Sequence, residues 1–394
     1  MTTTIEQRLA EFAAMVRATG KLRSPAIEAA FRQIPRHRFI VALHGPDERV
    51  DIPRDGPVPE ELLDAIYSDM ALLTHLAHDA EGTGCSSSSQ PSLMAKMLDT
   101  LDLAPGMRVL EIGAGTGYNA ALVTTITGAE VVTVDVNPTV VAEARDSLGR
   151  LGLLDRGPQQ ELGRRASTLS TRRVSVIEAD GYPGHEARGP YARVIVTVAC
   201  TGFSPHWLDQ LEPGGLVLAP IAHGGLHPVT TARDRSRGRA YLPAWFMAAA
   251  GPLFSRHAPS HAPVARQLEI SPVRMRPLAE PLDLAAYCDL WFSLAVGDPR
   301  VCAAYAEAVP RAQGMCAVVD SDEDAVFVQR DALHSAGDPA LLDKVQRAVQ
   351  DWEDLGRPHV GDWSCSLAQV GPAETPLLMP TAWTLERAGD ARRT

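Results

Sequence analysis

No two cysteines in this sequence form a C-x-x-C pair, which excludes the zinc ribbon and the small disulfide scaffold together. The six cysteines (Cys85, Cys200, Cys288, Cys302, Cys316 and Cys365) are scattered along the chain, as expected of reduced thiols in a cytosol. No metal site is indicated. Positive charge is also in short supply. With 37 Lys and Arg against 48 Asp and Glu, the formal net charge is −11, so the chain lacks the basic surface that displaces counterions from nucleic acid. Arg164, Arg165, Arg172 and Arg173 form one local basic cluster, read as a solvated loop. No apolar run reaches the roughly 18 residues of a membrane-spanning helix, and the N-terminus "MTTTIEQRLAEFAAMVRATG" has no uninterrupted apolar core of the signal-peptide kind. A soluble, cytoplasmic protein is expected, with no membrane or nucleic-acid partner. Repeats and low-complexity tracts are absent as well.

What remains is an ordinary globular composition, 45% hydrophobic and 22% charged over 394 residues, long enough for two domains of roughly 100 to 200 residues each. Residues 5 to 33 carry apolar residues at helical spacing, with Ser24 and Pro25 as an N-cap and first helical position. The four prolines between 44 and 60 predict an irregular connection, and residues 92 to 103 predict a helix. From there short β-branched runs alternate with helical segments. "MRVLEIG", "AEVVTVDV", "RVSVIEA" (173 to 179), "RVIVTVA" (193 to 199) and "GLVLAPI" (215 to 221) are the strands of a parallel, doubly wound α/β sheet. The segment 149 to 173 reads as an inserted surface loop. Residues 270 to 394 have their own periodicity, with a helix expected from Pro339 to Leu355. The organisation expected is an N-terminal helical cap and connection over 1–85, a Rossmann-like domain over 86–235, and a linker with a smaller C-terminal α+β accessory domain over 236–394.

The turn "EIGAGTG" places Gly113, Gly115 and Gly117 between the first strand and its helix, where missing side chains let a ligand approach the backbone. A nicotinamide-binding turn needs its third glycine at 118, occupied here by Tyr118, and no Lys-Ser or Lys-Thr pair follows as a triphosphate loop requires. Glu111 precedes the turn, Asp135 closes the second strand, and Asp180 lies in "EADG" after the third. A carboxylate at the end of the second strand can accept hydrogen bonds from two vicinal ribose hydroxyls. This order of features is similar to that of methyltransferases using S-adenosylmethionine, in which the third-strand acid lies near the adenine amino group. The cofactor set expected is Glu111, Gly113, Gly115, Gly117, Asp135, Val136, Asp180 and Gly181.

Ahead of the turn stands "CSSSSQP", residues 85 to 91. With this segment in place, the chain over roughly residues 60 to 225 resembles the protein L-isoaspartyl O-methyltransferases, whose Thr-Ile-Ser segment before a proline corresponds to Ser87, Ser88 and Ser89 before Gln90 and Pro91. The resemblance implies S-adenosylmethionine as cofactor and these three serines as the acceptor-facing, catalytic group. Ser86 is expected to matter less. The polar quartet and the long C-terminal region look more like a branch that modifies ribosomally made peptides alongside ATP-grasp ligases, the graspetide type. That branch implies a cyclised precursor as partner and methylation of an aspartate that leads to a succinimide (aspartimide). The alternatives are general repair of L-isoaspartate, or a non-catalytic peptide-binding adaptor on the same fold. The sequence departs from the family at Ala192, where an acid is usual. His75 and His223 receive no role.

Overall fold

The computed structural model describes residues 4–45, 48–76, 84–155, 173–254, 265–271 and 274–386. Two compact units divide the chain. One holds residues 1–197 and 206–218, the other 198–205 and 219–394. The N-terminal region thus belongs to the same unit as the parallel sheet, and the division falls at 219, earlier than the expected boundary at 235.

The first unit begins with helix α1 (Ile5–Gly20), started by a capping box between Thr4 and Gln7, and α2 (Pro25–Gln33). Pro25 takes the first helical position as its fixed φ predicts. The Ser24 side chain makes no capping bond, and its backbone N–H donates to Asp99 Oδ1 at 3.1 Å. A single 3-10 turn follows at Arg36–Phe39. The connection expected to be irregular contains a short hairpin, β1 (Ala42–His44) with β2 (Arg49–Asp51). Helix α3 (Glu60–Ile66) leads to a second antiparallel pair, β3 (Leu72–Leu76) and β4 (Gly84–Ser88). Helix α4 (Pro91–Thr100) ends three residues short of its expected limit.

The sheet proper comprises β5 (Val109–Ile112), β6 (Glu130–Asp135), β7 (Arg173–Glu178), β8 (Tyr191–Val196) and β9 (Leu211–Pro220). Their order is β7-β6-β5-β8-β9 and every pairing is parallel. Strands buried on both faces read as continuous apolar runs, and "VLEI" of β5 is buried throughout. The connecting helices are α5 (Tyr118–Thr127), α6 (Pro138–Arg150), and the short α7 (Pro205–Asp209) before β9. Asn137 caps α6 by accepting from Thr139 N and Val140 N. Successive strands run outward in opposite directions from β5 and β8, so the switch point where such sheets bind ligands lies at their carboxyl ends. The expected insertion, with Arg164, Arg165 and Arg172, lies outside the described residues over 156–172.

The second unit contains an antiparallel group, β10 (Val229–Ala232), β11 (Arg237–Leu242), β18 (Trp363–Val370) and β19 (Leu377–Leu385). It also contains a six-stranded sheet ordered β12-β14-β15-β16-β17-β13. These strands are β12 (Arg266–Gln267), β13 (Arg274–Pro277), β14 (Val301–Tyr305), β15 (Cys316–Val319), β16 (Ala325–Val328) and β17 (Ala332–Ala336), with helices α8 (Leu284–Gly297) and α9 (Pro339–Asp354). The amphipathic stripe of α9 buries Leu342, Val345, Val349 and Trp352 beside Trp291, Phe292 and Val326 in one core. Among the described residues, no helix is long and apolar enough to cross a membrane.

Candidate active site

The serine run is a strand. β4 pairs with β3 so that Ser88 lies opposite Leu72, Ser87 opposite Leu73 and Ser86 opposite His75. Alternation along a strand then separates the hydroxyls. Ser86 and Ser88 are 5% and 2% exposed, whereas Ser87 and Ser89 are half-buried. The Ser88 hydroxyl accepts from Arg36 Nε at 3.1 Å, so Ser88 departs from its expected place among acceptor-facing groups: the period of two turns it inward, leaving Ser87 and Ser89. The Ser86 hydroxyl lies 3.4 Å from that of Thr74. Past the strand, Asp69 holds the junction with α4. Its Oδ1 accepts from Ser92 N at 2.8 Å, and its Oδ2 from Ser92 Oγ at 2.7 Å and Gln90 Nε2 at 3.2 Å.

The glycine turn lies against this strand. Gly113, Gly115 and Gly117 have φ of 95°, 48° and 79°, the left-handed region that glycine enters without steric cost. A Cβ on Gly117 would stand 3.2 Å from Leu148 Cδ1 and 3.3 Å from Ala144 Cβ, so this glycine also lets α6 pack closely. A Cβ on Gly115 would meet Ser87 O at 3.5 Å and Ser86 Oγ at 3.7 Å. Ser86, expected to matter less, is therefore the serine whose hydroxyl lies against Gly115. Gly115 N donates to Asp135 Oδ2 at 3.2 Å and Asn137 N to Asp135 Oδ1 at 3.0 Å, while Thr197 at the end of β8 donates through its hydroxyl to Gly113 O at 2.7 Å.

Asp135 is half-buried and Asp180 exposed, and both stand at carboxyl ends of adjacent strands. Val136, next in the chain to Asp135, is 54% exposed, an apolar surface following that carboxylate. Asp180 Oδ1 accepts from Tyr182 N at 2.8 Å, and Gly181 O accepts from Trp207 Nε1 at 2.9 Å. Backbone open at a glycine, a carboxylate for a diol and an apolar plate for a flat ring match the parts of an adenosyl group.

Glu111 has a different position. It is wholly buried, and its oxygens accept from Asn119 Nδ2 at 2.7 Å and Thr133 Oγ1 at 2.5 Å, so it supports the turn from beneath. Burial pushes its carboxyl up to about 7, against the opposing pull of those two donors. An acid raised in the folded state binds more protons there than when unfolded, so its contribution to stability falls as pH rises from about 5 to about 7, with a slope approaching 1.4 kcal/mol per pH unit. Glu111→Gln is expected to flatten thermal stability across that window. Identical pH profiles for both proteins in calorimetric melting would contradict the assignment.

Three residues that hold the site escaped the sequence reading: Arg36, Asp69 and Thr197. Only Arg36 carried a signal, and a partial one, as one of two arginines between Pro35 and Phe39 in the apolar-flanked "IPRHRFI". His75 lies on β3 opposite Ser86. His223 belongs to the second unit, in ring contact with Phe292 and Trp383 at 5.2 and 5.3 Å.

A parallel sheet in this order, with a glycine turn after its first strand and an acid after its second, defines the α/β fold of S-adenosylmethionine-dependent methyltransferases. Within that class the chain belongs to the protein-L-isoaspartate(D-aspartate) O-methyltransferase family, PCMT, whose model matches residues 28–242. The match begins earlier than the expected 60 and so takes in Arg36. A protein-L-isoaspartate O-methyltransferase from Hyperthermus butylicus is 33% identical over 226 residues, covering 56% of this chain and 86% of its own. One from a Picosynechococcus species is 30% identical over 235 residues, covering 58% and 84%. A solved structure named protein-L-isoaspartate O-methyltransferase covers 94% of this chain and 99% of its own at 22% identity, with a TM-score of 0.49. The family match and these two relatives agree with the isoaspartate alternative, and neither relative carries the name of the peptide-maturation branch expected from the serine quartet.

Proposed function

We propose that the protein is an S-adenosylmethionine-dependent carboxyl O-methyltransferase acting on the free carboxylate of L-isoaspartyl residues in proteins and peptides. The observation that carries this reading is the serine strand lying against Gly115, with the Ser87 carbonyl 3.5 Å and the Ser86 hydroxyl 3.7 Å from where a Cβ of that glycine would stand, so that the hydroxyl run borders the turn that would take the cofactor. Asp135 accepts from the ribose hydroxyls, Val136 covers the adenine ring, and Gly113, Gly115 and Gly117 admit the backbone's close approach, with Asp180 and Gly181 at the far edge. The cofactor, when bound, supplies a sulfonium methyl that passes to a carboxylate oxygen as the carbon–sulfur bond breaks. No general base is needed, because a carboxyl with a pKa of about 4 is already ionised at neutral pH. The protein's task is alignment. Ser87 and Ser89 donate to the acceptor oxygen that does not attack, leaving the other free.

The test is incubation with S-adenosylmethionine and matched peptides containing isoaspartate or aspartate at one position, followed by mass spectrometry. The isoaspartyl peptide is expected to gain one methyl, labile to mild base as esters are, and the aspartyl peptide none. Cofactor binding with no transfer to either would favour the adaptor reading. The narrower reading, a dedicated cyclised precursor made by an ATP-grasp ligase and carried on to a succinimide, would give residues 243–394, beyond the family match, a substrate to recognise. Methylation of such a peptide, with generic isoaspartyl peptides untouched, would establish it.

A further inference from the structure

The guanidinium of Arg36 is fully buried, an expensive place for a cation unless every donor is satisfied. Its Nε donates to Ser88 Oγ at 3.1 Å. Nη1 donates to Ile66 O at 2.8 Å and Ser68 O at 3.2 Å. Nη2 donates to Met70 O at 3.0 Å, Ser88 O at 3.1 Å and Ser89 O at 2.9 Å. All six acceptors are neutral. Desolvation lowers its pKa to about 10, against the attraction of Tyr118, Asp69 and Tyr67, so it stays charged at neutral pH. The 3-10 turn that carries it is anchored in turn: His37 Nδ1 is 2.7 Å from the Tyr67 hydroxyl, and Phe39 packs on Tyr118 at 5.3 Å between ring centroids.

The position of these bonds is informative. The β3–β4 ladder ends at the pair Leu72 and Ser88, so Ser89 stands one residue beyond its last rung. At that point Arg36 takes the carbonyls of Ser88 and Ser89 and ties them to the carbonyls of the 66–70 segment through one planar fork. We infer that Arg36 is a positioning residue for methyl transfer: it fixes the backbone of Ser88 and Ser89 beyond the end of the ladder, and thereby the direction of the Ser87 and Ser89 hydroxyls toward the acceptor carboxylate. This rests on the reading of the serine strand as the acceptor site. It identifies a third part of the site, 52 residues before Ser88 in sequence, that touches neither cofactor nor substrate. A lysine keeps the charge but presents its donors from a single point, and cannot reach acceptors spread around a guanidinium plane.

The test uses the full chain with Arg36→Lys and Arg36→Met, read in three ways. Steady-state methylation of an isoaspartyl peptide is expected to fall in turnover by about ten- to a hundredfold in both variants, the scale of misalignment by a fraction of an ångström to one ångström. Affinity for S-adenosylhomocysteine by calorimetry is expected to change by less than about threefold, a small shift on the free-energy scale. Hydrogen exchange is expected to quicken at Ser88, Ser89 and Gln90 while β5 and β6 keep wild-type protection. Wild-type turnover in Arg36→Lys would show that charge alone suffices and overturn the inference. Faster exchange spread evenly through β5 and β6 would do so too, by showing a general stability role. Should the Arg36 variants not fold, Ser88→Ala removes one acceptor and is expected to lower turnover and loosen the same amides to a smaller extent; no change in either would overturn the inference. If the wild-type protein methylates no isoaspartyl peptide, the functional reading fails, and the exchange measurement still decides whether Arg36 clamps the strand.

Discussion

Asp135→Ala is expected to weaken S-adenosylmethionine binding about ten- to a hundredfold, the worth of charge-assisted hydrogen bonds of roughly 1.5 to 3 kcal/mol. Two effects add. The carboxylate that would accept from the ribose diol is lost, and so are the bonds by which Asp135 orders its own surroundings, from Gly115 N at 3.2 Å and Asn137 N at 3.0 Å. Losing the bond from Gly115 N also frees the turn that this carboxylate holds in place. Asp135→Asn keeps an acceptor without the charge and is expected to fall between the two. Calorimetric titration decides the matter: wild-type affinity in Asp135→Ala, with the fold intact by circular dichroism, would remove the assigned pocket.

The second large effect is expected at the strand itself. Ser89→Ala should reduce kcat/KM for an isoaspartyl peptide about ten- to a hundredfold, on the scale of losing one aligning donor at a reacting centre, while cofactor affinity stays near wild type. Ser87→Ala should act in the same direction. Ser86→Ala should behave oppositely, altering cofactor affinity more than turnover, because its hydroxyl lies 3.7 Å from where a Cβ of Gly115 would be. Equal losses from all four serine substitutions would show that strand order, and no individual hydroxyl, governs the reaction.

That division among the serines could not be read from "CSSSSQP". Four identical residues carry no pattern of alternation, so nothing in the run says which hydroxyls face inward; the register against Leu72, Leu73 and His75 sets it. The glycine turn was the reverse case. Its spacing, its place after a β-branched run and the acids that follow on two later strands are local features, and local features survive in sequence. Glu111 shows the limit of that reading. Its position in the motif was plain, but only the packed sheet places Asn119 and Thr133 on its two oxygens and turns a candidate ligand into a buried support.

The sequence by itself determined the alternation of strands and helices, the parallel α/β class, the turn at 113–117 and the acids at 135 and 180, because periodicity, β-branching and glycine's conformational freedom act over a few neighbouring residues. Tertiary structure alone decided which serines face outward, that the N-terminal segment joins the sheet's own unit, and that Arg36 holds a strand 52 residues away. Those outcomes depend on burial and on hydrogen bonds between segments distant in the chain. A buried cation comes to rest where enough carbonyls converge to replace its water, and that convergence exists only once the chain has folded.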